Sequence, residues 1–454
     1  MKKSIDMTKG VPWRLMIPFA IPIFLSGLIE QLYSLADTTI VGRFLGVEAL
    51  ASISCTGSVS SLLFGFIFGM TSGLVVMVSQ RFGAKDERGI KDSVAISICV
   101  CTVLTIILSA LGCVFAGKLL DLINVPDNII DNAHAYLLTA FIGSIATVIY
   151  TLFASILRAV GDSKTPLVIL IISAILNVLL NIIFIAGLKM GVVGAGIATI
   201  ISKIVACIYC VLYTKKNFPI LNIKKENFRI NPGYLWAHIK LALPMALQYS
   251  VYQIGSTITA SFINPLGSTA LASFSAAGYV SYLPVNILCA ISSANSTFVA
   301  QNMGASNYDR IKSGVKTVTT MVSIVAVFGA IFATLTSDIF VRIIVGKGHP
   351  EIENYVLRYI ITICPTFFTQ GMIYAYRSPL VSMGQTLLPF IYGFVELAAR
   401  IGTAATLIPA IGFDGAGLSL NASMLTMATL SFITYIVYMR KHHGTAFKTQ
   451  KESA

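Results

Sequence analysis

Two carboxylates stand inside a long apolar stretch near the start of the chain. Glu30 and Asp37 fall within residues 15–42, LMIPFAIPIFLSGLIEQLYSLADTTIVG, and no lysine or arginine lies within one helical turn of Asp37. Seven residues are close to two helical turns, so the acids share one face about 10 Å apart, with Tyr33 between them. A carboxylate at membrane depth usually faces a protein interior or a wet cavity. We therefore expect both acids to take up and release a coupling cation.

Neutral side chains that carry oxygen recur at helical spacing in two later apolar segments. Asn177 and Asn181 are four residues apart, as are Thr147 and Thr151, so each pair lies on one helix face. Hard cations favour oxygen ligands, and with the carboxylates these groups could bind a proton, Na⁺ or a cationic solute. The asparagines are equally well explained by interhelical hydrogen bonds, which polar residues commonly form in membranes.

The second half of the chain has one comparable acid, Glu396, with Arg400 four residues later. At that spacing the two side chains are expected first to form a neutralising ion pair within one helix. A role in gating or coupling is the alternative interpretation, which makes this pair a candidate polar site of the second half.

The composition indicates which elements must position these residues. The chain has 454 residues, 56% of them hydrophobic and only 11% charged, with a mean hydropathy of +0.82, whereas soluble domains have about 25% charged residues. Twelve apolar segments of about 20 residues or more, each long enough to cross a bilayer, lie between residues 14 and 439. This pattern predicts an all-α, multi-pass membrane protein. It leaves no stretch for an aqueous catalytic domain, so we expect neither an enzyme nor a bound cofactor.

The lysines and arginines are distributed unevenly between the two sides of the membrane. With the N-terminus inside, 24 of the 32 fall in cytoplasmic segments and 6 outside, while Lys203 and Arg400 lie deep within apolar segments. The positive-inside rule then predicts that both termini are cytoplasmic. The same distribution explains the net charge of +13 without a nucleic-acid partner.

The chain also repeats itself after a shift of 221 residues. FLGVEALASISCTGSVS (44–60) matches PLGSTALASFSAAGYVS (265–281) at ten of seventeen positions, and GVVGAG (191–196) recurs as GFDGAG (412–417). Because six is even, two copies of six helices enter the membrane from the same side and form parallel repeats around a central cavity. The fold class is therefore predicted as twelve transmembrane helices in two such repeats.

The repeat also predicts how the chain is divided. We expect six-helix lobes at 1–213 and 234–454, joined by the lysine-rich cytoplasmic linker 214–233, with transport by rocking of one lobe on the other. The shift pairs Glu30 with Val251 and Asp37 with Ile258. Both acids therefore belong to the first copy alone, which favours a chemical rather than a structural role.

Four motifs along the chain give a resemblance to a known family. They are LADTTIVGRFLG (35–46), SQRFGA (79–84), LRAVGDSKTP (157–166) and GVVGAGIAT (191–199). With these motifs and the 6+6 arrangement, the chain resembles the multidrug and toxic compound extrusion (MATE) family over essentially its whole length.

The resemblance implies an antiporter of the inner membrane that expels amphipathic, often cationic, drugs in exchange for H⁺ or Na⁺. It implies that Asp37 is the family's acidic residue on helix 1, linked to cation binding and helix bending. Independently of the resemblance, Pro18 and Pro22 are expected to interrupt this helix and to supply a hinge. The positions that it places along the cavity are Glu30, Tyr33, Thr147, Thr151 and Asn177.

One departure from the family pattern bears on the coupling ion. Many members have an aspartate on helix 5 in a pattern like N-x-x-x-D, where this chain has Asn177 and Asn181. Members that couple to Na⁺ through an acid on helix 7 also match poorly, because residues 239–263 contain no Asp or Glu. We therefore expect proton coupling through Asp37, with Glu30 beside it, and Na⁺ at Asp37 as the alternative.

Two other classes of function compete with drug efflux as interpretations of the sequence. A flippase of lipid-linked saccharides shares the architecture but needs a strongly cationic cavity, whereas the acids outnumber Lys203 and Arg400 at membrane depth here. An intramembrane enzyme belongs to a different class, and the zinc motif His-Glu-x-x-His is absent from the chain. The expected partners are small drugs or organic cations and membrane lipids, and the protein is expected to act as a monomer.

Overall fold

The computed structural model describes residues 4–228, 231–346 and 348–452. Within these ranges, it describes only the backbone for Ser58 and for residues 442–452. Two residues of the predicted linker, 229 and 230, lie outside the described residues. So do four of the basic residues counted for the predicted topology, namely Lys2, Lys3, Arg229 and Lys347. The described part is all α-helical without a strand, which confirms the predicted fold class. Its long helices are α1 Pro12–Leu45, α2 Val47–Gly83, α3 Glu87–Leu122, α4 Asp127–Ala159, α5 Lys164–Asn181, α6 Gly191–Asn217, α7 Pro232–Ile263, α8 Ser268–Gly304, α9 Tyr308–Ile344, α10 Pro350–Ser382, α11 Leu387–Ile411 and α12 Asp414–Glu452.

Eleven of these helices are long and apolar enough to cross a membrane, counted over the described residues. The helix outside this set is α7, which has 32 residues and therefore ample length. It is less apolar because polar side chains such as His238, Gln248 and Gln253 interrupt it. The protein is thus a multi-pass membrane protein with one comparatively polar long helix.

The turn between α4 and α5 shows how the LRAVGDSKTP motif works locally. Gly161 has a φ of 91°, a left-handed conformation that glycine adopts without strain. Asp162 then accepts hydrogen bonds from the backbone N–H of Lys164 at 3.1 Å and of Thr165 at 3.0 Å. These bonds satisfy two of the free donors at the start of α5 and so fix where α5 begins.

The far end of α5 departs from regular helix. After Asn181 the chain winds into a π-helix over Ile182–Gly187, in which the Leu188 N–H donates to the carbonyl of Ile183 at 2.8 Å. A π-turn is uncommon and frequently marks a functional position. Here it begins directly after one of the asparagines that the sequence singles out.

Helix α1 runs continuously through the two prolines that were expected to interrupt it, Pro18 and Pro22. The described residues nevertheless divide into two compact units, and one division falls between these prolines, after Ala20. The first unit comprises Met1–Asp6 and Ile21–Ser250, and the second comprises Met7–Ala20 and Val251–Ala454.

In the first unit, a run of glycines on α2 receives the first part of α7. Gly69 and Gly73 are one turn apart, and a Cβ on Gly73 would stand 2.5 Å from the Cα of Ala242. A Cβ on Gly69 would likewise lie 2.7 Å from the Cα of Ala246. Such small residues let two membrane helices approach to backbone contact. Ala242 and Ala246 belong to the same apolar core as α2, α3 and α4.

In the second unit, the chain before α1 is fixed by side chains from α8 and α9. Met7 is fully buried, and its N–H donates to Gln301 Oε1 at 2.9 Å. The Met7 carbonyl accepts from Asn302 Nδ2 at 3.0 Å and from Arg310 at 3.1 Å. The apolar core of this unit joins α8, α9 and α10 with the ends of α7 and α11.

Candidate functional site

The carboxylate of Asp37 on α1 meets the two asparagines of α5 inside the first unit. Asn181 Nδ2 donates to Asp37 Oδ1 at 2.6 Å and to Asn177 Oδ1 at 2.8 Å. Both asparagines are fully buried. Asp37 forms no ion pair with a lysine or arginine among the residues that the structure describes. Its charge is therefore stabilised here by an amide rather than neutralised by a cation.

A threonine of α6 extends this group. Asn177 Nδ2 donates to Thr199 Oγ1 at 3.2 Å, and the Tyr33 hydroxyl lies 3.2 Å from the same oxygen. The hydrogen bonds thus run from Asp37 through both asparagines and Thr199 to Tyr33, linking α1, α5 and α6. These five residues are called the Asp37 group. Thr199 was not predicted as a site residue, although it is the last residue of the motif GVVGAGIAT.

One acceptor in this group has no partner. Asn181 Oδ1 is buried and receives no hydrogen bond from any described residue. Buried polar atoms are nearly always paired, so a free carbonyl oxygen beside a carboxylate indicates a place for an additional donor. A protonated Asp37 could donate to this oxygen, or a small hard cation could take it as a ligand.

Glu30 lies apart from the Asp37 group although both acids were predicted on one face. Counted along α1, Glu30 is about 2 Å from the helix midpoint and Asp37 about 13 Å from it, and Glu30 is exposed. Its charge acts on Lys203 of α6 and on Tyr150 of α4. The predicted pair of acids therefore faces two different environments.

The two threonines of α4 bond to their own helix. Thr147 Oγ1 donates to the carbonyl of Gly143 at 3.4 Å, and Thr151 Oγ1 donates to the carbonyl of Thr147 at 2.8 Å. Neither hydroxyl joins the Asp37 group. The α4 side chain close enough to interact electrostatically with Asp37 and Tyr33 is Tyr136, which the spacing of polar residues did not indicate.

In the second unit, Glu396 and Arg400 form the ion pair that their spacing predicts. They are hydrogen-bonded along α11 and are only 5% and 4% exposed. The Arg400 guanidinium also lies 5.5 Å from the centre of the Tyr252 ring. The pair is thus a neutral, buried group, and its gating or coupling role stays a prediction.

Repeated apolar helices with buried polar groups are typical of membrane transporters, and the comparison with known families identifies the class. The family model described as MatE matches residues 22–183 and again 244–406. The two matches cover well over half of the chain, so the protein belongs to the MatE family of transporters. They also fall on the two predicted repeats.

Curated relatives match over most of their length. The chain is 29% identical over 316 residues to "Probable multidrug resistance protein YoeA" of Bacillus subtilis strain 168, covering 68% of each chain. It is 24% identical to an "FAD transporter" of Shewanella oneidensis, covering 85% of this chain and 87% of that one. It is 21% identical to "Multidrug export protein MepA" of Staphylococcus haemolyticus, covering 96% and 95%.

Solved structures of the same architecture are found as well. The structure titled "Outward-facing conformation of a multidrug resistance MATE family transporter of the MOP superfamily" matches with a TM-score of 0.90 at 18% identity, covering 97% of this chain and 98% of that one. The structure titled "Crystal structure of MATE in the bent conformation" matches with a TM-score of 0.89, also at 18% identity and the same coverage. At this identity the likeness concerns the fold.

Proposed function

We propose that the protein exports amphipathic or cationic drugs by antiport with protons. The observation that carries this proposal is Asp37, a carboxylate inside a membrane-spanning helix that is held by Asn181 and has no basic partner among the described residues. Such a carboxylate can exchange a proton for a cationic substrate, because its single negative charge can be neutralised by either one. Relatives described as multidrug resistance or export proteins support the substrate class.

The coupling ion is proposed as H⁺, with Na⁺ as the second candidate. With Asn177 and Asn181 at the two neighbouring positions, Asp37 is the single carboxylate of its hydrogen-bonded group. A proton needs only this one carboxylate, whereas Na⁺ needs further oxygen ligands. The unpartnered Asn181 Oδ1 favours Na⁺ to some extent, because that ion requires several oxygen ligands. The two candidates differ in which gradient drives export.

The duplication of the fold supports alternating access by rocking of the two repeats. The excess of lysine and arginine in one set of loops, 24 against 6, supports cytoplasmic termini in the cell membrane. We propose that a monomer is sufficient, since each chain contains both repeats.

The test is transport by purified protein reconstituted in liposomes. A proton gradient and a sodium gradient are imposed separately while export of ethidium is followed by fluorescence. We expect the proton gradient alone to drive uphill transport. Asp37→Asn, which keeps the shape of the side chain, should abolish this transport while leaving the amount of folded protein unchanged.

The matched control is Asp131→Asn, an exposed acid at the start of α4, which should transport like the wild type. Uphill export with neither gradient, or full activity of Asp37→Asn, contradicts the antiport mechanism. Export driven only by sodium would replace H⁺ with Na⁺ as the coupling ion.

A further inference from the structure

The first unit contains a lysine at membrane depth that the Asp37 group does not use. Lys203 stands within about 2 Å of the midpoint of α6 along the helix axis. Its Nζ lies 5.2 Å from the centre of the Tyr150 ring and 5.6 Å from that of Tyr33. Both distances are within the range of cation–π attraction. Two rings from α4 and α1 therefore hold the ammonium at a defined place.

The hydrogen-bond donors of the Lys203 ammonium are not used by the described residues. It carries three N–H groups, yet it forms no hydrogen bond and no ion pair with any described residue. Glu30 attracts it electrostatically without reaching ion-pair distance. A charge at membrane depth without a bonded partner is a functional candidate, and here the missing partner is a hydrogen-bond acceptor.

The surroundings specify the chemistry of that acceptor. Tyr33 connects the two halves of the site, because its ring faces Lys203 while its hydroxyl lies 3.2 Å from Thr199 in the Asp37 group. Tyr33 thus contacts the positive Lys203 through its ring and is linked to the carboxylate of Asp37 by hydrogen bonds through Thr199, Asn177 and Asn181. A ligand with charges of both signs on an aromatic framework would complement both, whereas a purely cationic ligand would leave the Lys203 ammonium without a hydrogen-bond acceptor.

We propose that Lys203 is a specificity-determining residue that binds the carboxylate of zwitterionic aromatic substrates. The cationic group of the same ligand then lies toward Asp37, and the rings of Tyr33 and Tyr150 contact its aromatic part. This inference rests on the proposed efflux function and adds a preference within it. The competing explanation is that Lys203 only balances the charge of Glu30.

A matched pair of dyes tests the proposal. Tetramethylrhodamine has a free carboxylate and is a zwitterion, while its methyl ester has the same ring system and is a cation. Binding of each dye to purified protein is measured by fluorescence anisotropy, and export of each is measured in the liposome assay. The wild type should bind the free acid more tightly than the ester.

Substitution of Lys203 should change this preference selectively. Lys203→Met should weaken binding of the acid by about tenfold, the loss expected for one charge-assisted hydrogen bond, and should leave the ester unchanged or more tightly bound. Lys203→Arg keeps the charge and should keep the preference for the acid. Lys215→Met, an exposed position on the same helix, serves as the control and should bind both dyes like the wild type.

The outcomes separate this inference from the proposed function. Equal weakening of both dyes by Lys203→Met, or an unchanged ratio of the two affinities, would assign Lys203 a structural role and overturn the inference. A wild type that binds the ester alone, or neither dye, overturns it as well. Ethidium export that depends on Asp37 would leave drug efflux standing in each of these cases. A Lys203-dependent preference for the acid without gradient-driven export would instead overturn the efflux mechanism alone.

Discussion

Removal of the Thr199 hydroxyl should break the hydrogen-bonded connection between Tyr33 and the asparagines beside Asp37 and so lower the stability of the first unit. Thr199→Val keeps the shape of the side chain but deletes the oxygen that lies 3.2 Å from both Asn177 Nδ2 and the Tyr33 hydroxyl. Interhelical hydrogen bonds in membranes contribute about 0.6 kcal/mol on average and up to about 1.7 kcal/mol. Two such bonds amount to about 1–3 kcal/mol. For a unit of this size that corresponds to a fall in unfolding temperature of about 2–12 °C.

A double-mutant cycle measures the interaction itself. The unfolding free energies of Thr199→Val, Tyr33→Phe and the double variant are compared in one detergent. Because both single changes remove the same hydrogen bond, the double variant should lose about 0.6–1.7 kcal/mol less than the sum of the single losses. Thr199→Ser keeps the hydroxyl and should retain most of the stability.

The control cycle pairs Thr199→Val with Tyr392→Phe. Tyr392 bonds to Thr434 at 2.6 Å in the second unit and has no partner in common with Thr199, so these losses should add within about 0.3–0.5 kcal/mol. A Thr199–Tyr33 coupling no larger than that of the control would refute the hydrogen-bonded connection between α1 and α6.

Two further substitutions test the packing of each unit. Gly73→Ala places a Cβ 2.5 Å from the Cα of Ala242 and should lower the free energy of unfolding by about 1–3 kcal/mol through overpacking. The control, Gly57→Ala on the same helix, meets nothing within 4 Å and should be neutral or stabilising in the same thermal unfolding assay. Equal stability of the two variants would contradict the close approach of α2 and α7. Arg400→Met leaves Glu396 buried and unpaired and should cost about 3–5 kcal/mol. Adding Glu396→Gln should restore most of that loss, and a double variant as unstable as the single one would show that the ion pair itself is required.

Helical periodicity predicts which residues share a face but not what that face meets. The spacing of Glu30 and Asp37 predicts one side of α1 for both. Packing then decides that Asp37 meets Asn181 of α5 while Glu30 acts on Lys203 of α6. The bond between Asp37 and Asn181 joins residues 144 positions apart in the chain, and no local pattern contains that distance.

The residues that the sequence did not single out are those without a distinctive local setting. Thr199 is one of many threonines in apolar segments, and its role depends on two partners from other helices. Tyr136 is likewise one of several tyrosines. Lys203 is different, because a lysine at the middle of an apolar segment is visible in the sequence, and only its place between two rings required the structure.

The glycine run of α2 has a consequence for how the protein is made. The first unit extends to Ser250 and includes the beginning of α7, although α6 already ends at Asn217. During synthesis, six helices therefore enter the membrane with the α2 surface at Gly69 and Gly73 uncovered until the ribosome has added the following segment. α7 is also the long helix outside the eleven apolar spans of the described residues, and a helix without such a span inserts less readily by itself. We therefore expect Gly69 and Gly73 to give this helix a packing partner inside the first unit as soon as it enters the membrane.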